Sequence, residues 1–174
     1  TFKDELSTQE IVKLTKQLGD NLINVNITGG EPFLRKDIYD IAEAYFKNTT
    51  IRSIFITSHG MFPTRIKAFL DKFMDSGMDR KVIFSFSADG IGEEHNEIRR
   101  LKGLYDRTLS SYRLIQDYNT PKIVAKIGIT VTDKNYDKVQ NLYRYLRDEI
   151  GVKGVTATIM REEGVVKHIE PEKK

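Results

Sequence analysis

The sequence predicts an α/β fold with parallel strands, and three observations carry that expectation. Five short apolar segments are rich in β-branched and aromatic residues, which favour strands. Between them lie stretches whose apolar residues recur at helical spacing. The strand-like segments begin near residues 22, 53, 82, 123 and 154, about 30 residues apart, the length of one strand–helix unit.

Taken in order, Ser7-Thr8-Gln9-Glu10 reads as a capping box opening a first helix with Ile11, Leu14 and Leu18 on one face. A strand over 22–28 follows, carrying Ile27. Ile38, Ile41, Ala42, Tyr45 and Phe46 then form a second helical stripe. The strand at 53–57 holds Ile54 and Ile56, and Ile66, Phe69, Leu70, Phe73 and Met74 form a third stripe stopped by Gly77. After the strand at 81–87, with Val82 and Ile83, the unit carries a surplus at 91–104 that predicts an extended loop. Tyr105, Leu109, Tyr112 and Ile115 make the fourth stripe, and a strand over 123–132 follows. Val139, Leu142, Tyr143 and Leu146 make the fifth, stopped by Gly151, before a last strand at 154–160. Tyr39, Tyr45, Phe46, Phe69 and Phe73 are expected in the core. Such alternation implies parallel strands with right-handed crossovers. An open doubly wound sheet and a closed or partial barrel fit the periodicity equally.

Composition removes several function classes. The net charge of +3 is small and its basic residues are interspersed with acidic ones, so neither nucleic acid nor a membrane surface is an expected partner. No apolar run approaches the roughly 18 residues of a membrane span. The first residues lack the pattern of a signal peptide, so a cytoplasmic location is expected. With 0 cysteines there are no disulfides and no thiolate ligands in the chain.

Ligands of parallel α/β folds bind beyond the carboxyl ends of the strands. Those ends read Thr28-Gly29-Gly30-Glu31-Pro32, Thr57-Ser58-His59-Gly60, Ser87-Ala88-Asp89-Gly90, Thr130 to Asn135, and Met160-Arg161-Glu162. Paired glycines let the main chain approach a ligand where a Cβ would block it. Glu31 could receive an amino group, and Pro32 sets the exit into the next segment. A bare turn with a helix cap explains the same residues.

These motifs, in this order, resemble those of radical S-adenosylmethionine (SAM) enzymes. Gly29-Gly30-Glu31-Pro32 with Phe33-Leu34-Arg35-Lys36-Asp37-Ile38 is similar to the family's Gly-Gly-Glu-Pro segment after its second strand. Thr57-Ser58-His59-Gly60 is similar to the family's Thr-Asn-Gly, with one extra residue. Ser87-Ala88-Asp89-Gly90-Ile91-Gly92 resembles its Ser-Leu-Asp-Gly. His95, Arg99 and Gly103 continue a His-Asp-x-x-Arg…Gly run, with Asn96 in place of Asp. Thr130-Val131-Thr132…Asn135 and Met160-Arg161 resemble the ends of the fifth and sixth strands. The resemblance covers residues 5–161.

It implies a partial (β/α)6 TIM-like barrel of which the chain holds strands two to six. A core domain over 1–161 and a charged tail, or the start of a further region, over 162–174 are expected. The implied cofactors are SAM and a 4Fe-4S cluster that cleaves it reductively to a 5′-deoxyadenosyl radical, which abstracts hydrogen from a substrate. Gly29, Gly30, Glu31 and Pro32 are implied at the SAM amino group. Thr57, Ser87, Asp89, Arg99 and Arg161 are further candidates around SAM, with Arg99 suited to its carboxylate. A flavodoxin or ferredoxin is the implied reductant of the intact enzyme, and a peptide or cofactor precursor the implied substrate. The family's Cys-x3-Cys-x-x-Cys and first strand have no counterpart here. The expectation is therefore a fragment whose cluster ligands lie upstream, inactive by itself and prone to self-association at its uncovered sheet edge. The alternative is a cluster-free homologue that binds SAM or a nucleotide without radical chemistry.

Overall fold

The computed structural model describes residues 5–160. Its centre is one sheet of five strands: β1 (Val25–Ile27), β2 (Ser53–Ser58), β3 (Lys81–Ser87), β4 (Ile123–Val131) and β5 (Val155–Ile159). All neighbours are parallel and the spatial order is β1-β2-β3-β4-β5. That order settles what periodicity left open. Each right-handed crossover adds its strand on the same side of the one before, so the connecting helices all fall on one face. A doubly wound sheet would reverse direction partway and place helices on both faces. The strands instead form part of a barrel wall.

The helices are α1 (Thr8–Leu18), α2 (Ile38–Asn48), α3 (Pro63–Asp75), α4 (Glu93–Arg99), α5 (Leu104–Asp117) and α6 (Val139–Asp148). The capping box that opens α1 is formed: Glu10 N–H donates to the Ser7 hydroxyl, and Ser7 N–H donates to the Glu10 carboxylate. Strand alternation then builds the core. Ile54 and Ile56, then Val82, Phe84 and Phe86, then Ile123, Ile127 and Ile129 point to the helical face and are buried. Phe69 and Phe73 of α3, Phe46 of α2 and Leu142 and Leu146 of α6 pack against them. Phe84 is the centre of this layer. Its ring stacks on Phe33 at 6.1 Å and on Phe86 at 5.7 Å, and meets the edge of Phe69 at 6.0 Å.

Several expectations need correction. The first strand is shorter than 22–28, because β1 is an edge of the sheet among the described residues and pairs with β2 only over Val25–Ile27. Ile23, just before it, is 89% exposed. The surplus at 91–104 is not all loop, since it folds into α4. Met74 and Tyr143 share helical stripes with core residues yet are exposed, because those stripes are wider than the contact with the sheet, and Leu14 is exposed on α1, which packs on α2 and adds no apolar residue to the core. Tyr39 and Tyr45 are only partly buried at the margin of the core. Arg161 and the tail over 162–174 lie outside the described residues.

Phe84→Ala removes a fully buried ring that packs against three others, Phe33, Phe69 and Phe86. We expect a loss of about 3–5 kcal/mol, read as a lower denaturant midpoint with an unchanged slope.

Candidate functional site

A parallel sheet normally has cover on both faces. Here helices cover one face, and no described element covers the other. Residues that alternate with the core positions lie on this second face. They include Asn26, Thr57, Ser85, Ser87, Gly128, Thr130, Thr156 and Thr158, all exposed or half-buried. The register aligns Thr57 with Ser85, Ser87 with Gly128, and Thr130 with Thr158. The second face is thus polar near the carboxyl ends of the strands, which is the lining of a wet, ligand-accepting lumen and not of a second core.

The turn after β1 stands at the rim of this face. Gly29 has φ 141°, a conformation that disfavours any side chain. Added Cβ atoms at Gly29 and Gly30 would meet nothing within 4 Å. Packing therefore does not demand these glycines, and the space above the turn is open to a ligand. Glu31 behaves differently. Its carboxylate is buried, accepting from Phe33 N–H at 3.0 Å, from the Ser58 hydroxyl at 2.9 and 3.0 Å, and from His59 N–H at 2.9 Å. It binds the β1 turn to the end of β2 and caps the 3-10 turn Pro32–Leu34. Pro32, at the first position of that turn, is buried as well.

The loop after β2 is clasped by α5. The Thr108 hydroxyl donates to the His59 carbonyl at 2.6 Å, and the Ser111 hydroxyl to the Gly60 carbonyl at 2.7 Å. A Cβ at Gly60 would come within 2.9 Å of the Thr108 Cα, so glycine is required here by close approach. His59 Nδ1 has two neighbours at 3.1 Å, the Met61 N–H and Glu31 Oε2. A neutral ring accepts from Met61, whereas a charged ring donates to Glu31. Burial lowers the His59 pKa, opposed by the Glu31 charge and assisted by that of Arg99, so the neutral arrangement prevails.

Asp89 organises the third strand end. Its Oδ2 accepts from Arg99 Nε at 2.5 Å and its Oδ1 from Thr130 N–H at 2.7 Å. Its own N–H donates to His95 Nδ1 at 3.0 Å, and its carbonyl accepts from Asn135 Nδ2 at 2.9 Å. Asn135 also bonds the Thr130 carbonyl and Thr132 N–H, closing the exit from β4. Asn96 accepts from Tyr105 N–H at 2.8 Å and so holds the start of α5. Arg99 is fixed through Nε alone; among the described residues its two terminal nitrogens make no hydrogen bond. Ser87 lies half-buried on the open face, two residues before this hub.

The structure thus brings the candidates from β1, β2 and β3 to one end of the sheet, but with divided roles. Thr57 is on the open face, while its neighbour Ser58 turns inward to Glu31. Sequence reasoning singled out Thr57 and passed over Ser58. Counting alternation forward from the apolar Ile54 and Ile56 would have placed Ser58 with the buried set.

His95 is fully buried, and desolvation lowers its pKa to about 4, against the attraction of Asp89. Between that value and the ordinary 6.5, the unfolded chain takes up a proton that the folded one does not. Stability therefore rises with pH across this window, by up to about 1.4 kcal/mol per pH unit, and is lost as pH falls through it. His59, lowered for the same reason, acts in the same direction. Asp37, held at about 2 by Arg35, lies below the window. We expect His95→Asn, which retains an acceptor for Asp89 N–H, to flatten this dependence in denaturant titrations between pH 4 and pH 6.5.

Comparison with known proteins agrees with this geometry. Residues 2–146 match the profile of the Radical SAM superfamily. The molybdenum cofactor biosynthesis protein moc-5 of Caenorhabditis elegans is 26% identical over 144 residues, which is 76% of this chain and 23% of that protein. The Fe-coproporphyrin III synthase of Methanosarcina barkeri is 28% identical over 155 residues, covering 85% of this chain and 35% of the synthase. A GTP 3′,8-cyclase of Limosilactobacillus fermentum is 31% identical over 147 residues, covering 82% and 41%. Among solved structures, native anSMEcpe with bound AdoMet superposes with a TM-score of 0.67 at 17% identity, over 88% of this chain and 43% of the other. The chain spans less than half the length of each of these relatives. The five-strand wall, the order of its strand-end motifs and the matched profile together make this chain a member of the radical SAM superfamily.

Proposed function

We propose that this chain is the SAM-binding part of a radical SAM enzyme, a core domain spanning residues 1–161. One observation carries the reading: Arg99 and the open Gly29-Gly30 turn stand at the same end of the sheet. Asp89 pins the guanidinium at Nε and leaves its terminal nitrogens free for a carboxylate, the pairing geometry at which arginine excels. The carbonyls of Gly29 and Gly30 supply acceptors for the SAM amino group, and the buried charge of Glu31 favours a cation beside them. Thr57 and Ser87 present hydroxyls toward the nucleoside, Asp89 orients Arg99, and Pro32 holds the turn. Arg161, two residues after β5 in the sequence, is the remaining member of the proposed set.

The 4Fe-4S cluster does not fit these residues. The chain has 0 cysteines, and no group of three metal-ligating side chains occurs among the described residues. The proposed enzyme would hold its cluster through ligands outside this sequence, and a reductant such as a flavodoxin or ferredoxin would supply, through that cluster, the electron for reductive cleavage of SAM. The work of this chain is to bind and orient. A peptide or a cofactor precursor is the proposed substrate class, in keeping with relatives named for cofactor biosynthesis and with neighbours solved with peptides.

The absence of cysteine favours a second reading, a cluster-free protein that binds SAM without radical chemistry. Two measurements separate the readings. Calorimetric titration of the chain with SAM is expected to show saturable binding, weakened about tenfold or more by Arg99→Met and less by Arg99→Lys. Failure to bind SAM would overturn both. Anaerobic reconstitution of the complete encoded protein with iron and sulfide is expected to yield 5′-deoxyadenosine from SAM. No product from a preparation shown to hold its cluster would leave only the second reading.

A further inference from the structure

Near the middle of β4, the open face of the sheet carries a charge that the SAM site does not use. Lys126 is the fourth of the nine residues of β4 and is paired in register with Ser85. Alternation places it on the polar face with Val124, Gly128 and Thr130. The remaining lysine of this face, Lys81, sits exposed at the amino end of β3, away from the strand ends that form the site. No carboxylate pairs with Lys126 among the described residues.

Two glycines shape its surroundings. A Cβ at Gly154 would come within 3.1 Å of Lys126 Cγ and 3.6 Å of Cδ, so the lysine stem lies against the backbone leading into β5. A Cβ at Gly128 would come within 3.1 Å of the Ser85 hydroxyl and 3.7 Å of that of Thr156. Gly128 therefore leaves the floor open between Ser85 and Thr156, one step above the lysine. Lys126 is half-buried with its stem held against Gly154, and neutral hydroxyls alone do not replace a counter-charge. An oxyanion does replace it, and the same hydroxyls can donate to that oxyanion.

We propose that Lys126, with the hydroxyls of Ser85 and Thr156, binds a carboxylate or phosphate group of a small acidic substrate. Ser85 lies two residues before Ser87, about 7 Å along the strand. The register sets Lys126 and Ser85 level with Thr57, and Thr156 level with Ser87, so the anionic end of the substrate lies alongside the proposed SAM nucleoside. This rests on the reading of the strand ends as the SAM site.

The test is a titration of the isotopically labelled chain with citrate and, separately, with pyrophosphate, at low ionic strength and followed by amide NMR. Saturating shifts are expected at residues 124–128 and 154–158. Lys126→Met is expected to weaken anion binding about tenfold or more, Lys126→Arg to preserve it within about threefold, and Lys81→Met to leave it unchanged. Preference for citrate assigns a carboxylate substrate, and preference for pyrophosphate a phosphate; comparable affinity supports a site for either oxyanion. Absence of saturable shifts at millimolar anion, or shifts spread over surface lysines and unaffected by Lys126→Met, would overturn the proposal. Should Lys126→Met fail to fold, the wild-type shift map and Lys126→Arg decide. SAM titration keeps the two readings separate: Lys126→Met should bind SAM as wild type does, and Arg99→Met should lose SAM while keeping the anion.

Discussion

The Asp89 carboxylate is the constraint on which the carboxyl end of the sheet depends. It is buried at the exit of β3, where a lone charge would be costly. Arg99 from α4 and a backbone N–H of β4 satisfy its two oxygens, while His95 and Asn135 satisfy its own backbone. One residue thus sets the spacing of β3 and β4, anchors α4 and aims Arg99. His95 serves as an acceptor only while neutral, which its burial ensures. The hub is therefore held by hydrogen bonds between fixed partners, and the free end of Arg99 is the one part of it available to a ligand.

Glu31 plays the corresponding part at the other side. By accepting from Phe33, Ser58 and His59 it fastens the glycine turn to the end of β2. The turn can then leave its carbonyls open without losing its position. Each half of the site couples a buried carboxylate that is internally satisfied to an exposed group that is not. Pre-set geometry of this kind lowers the ordering cost of binding.

The two faces of the sheet divide the labour between stability and function. The helix-covered face is dominated by apolar side chains, centred on Phe84, and its burial drives folding. Toward the carboxyl ends of the strands the opposite face carries hydroxyls, Gly128 and Lys126, which contribute little to a core but suit a polar ligand. Much of this was legible in the sequence. The alternation in Val82, Phe84 and Phe86, the helical stripes and the spacing of the strand ends all reflect local periods of two and 3.6 residues. Ser58 was not legible, because adjacent Thr57 and Ser58 are chemically alike and only the register decides which faces inward. The pairing of Asp89 with Arg99 was hidden for a related reason. Nine residues of loop and short helix separate them, and composition does not say how such a segment folds back.

By itself the sequence determined the alternation of strands and helices, the capping of α1, the glycine turn and the absence of thiolate ligands. Each of these is a local property of residue type and spacing. Only the tertiary structure decided between an open doubly wound sheet and a barrel wall, which face of the sheet stays uncovered, and which polar residues become internal struts. Those outcomes depend on strand order and on contacts between residues far apart in the chain. Chain entropy makes such contacts costly to form singly, so they appear only when the whole sheet assembles.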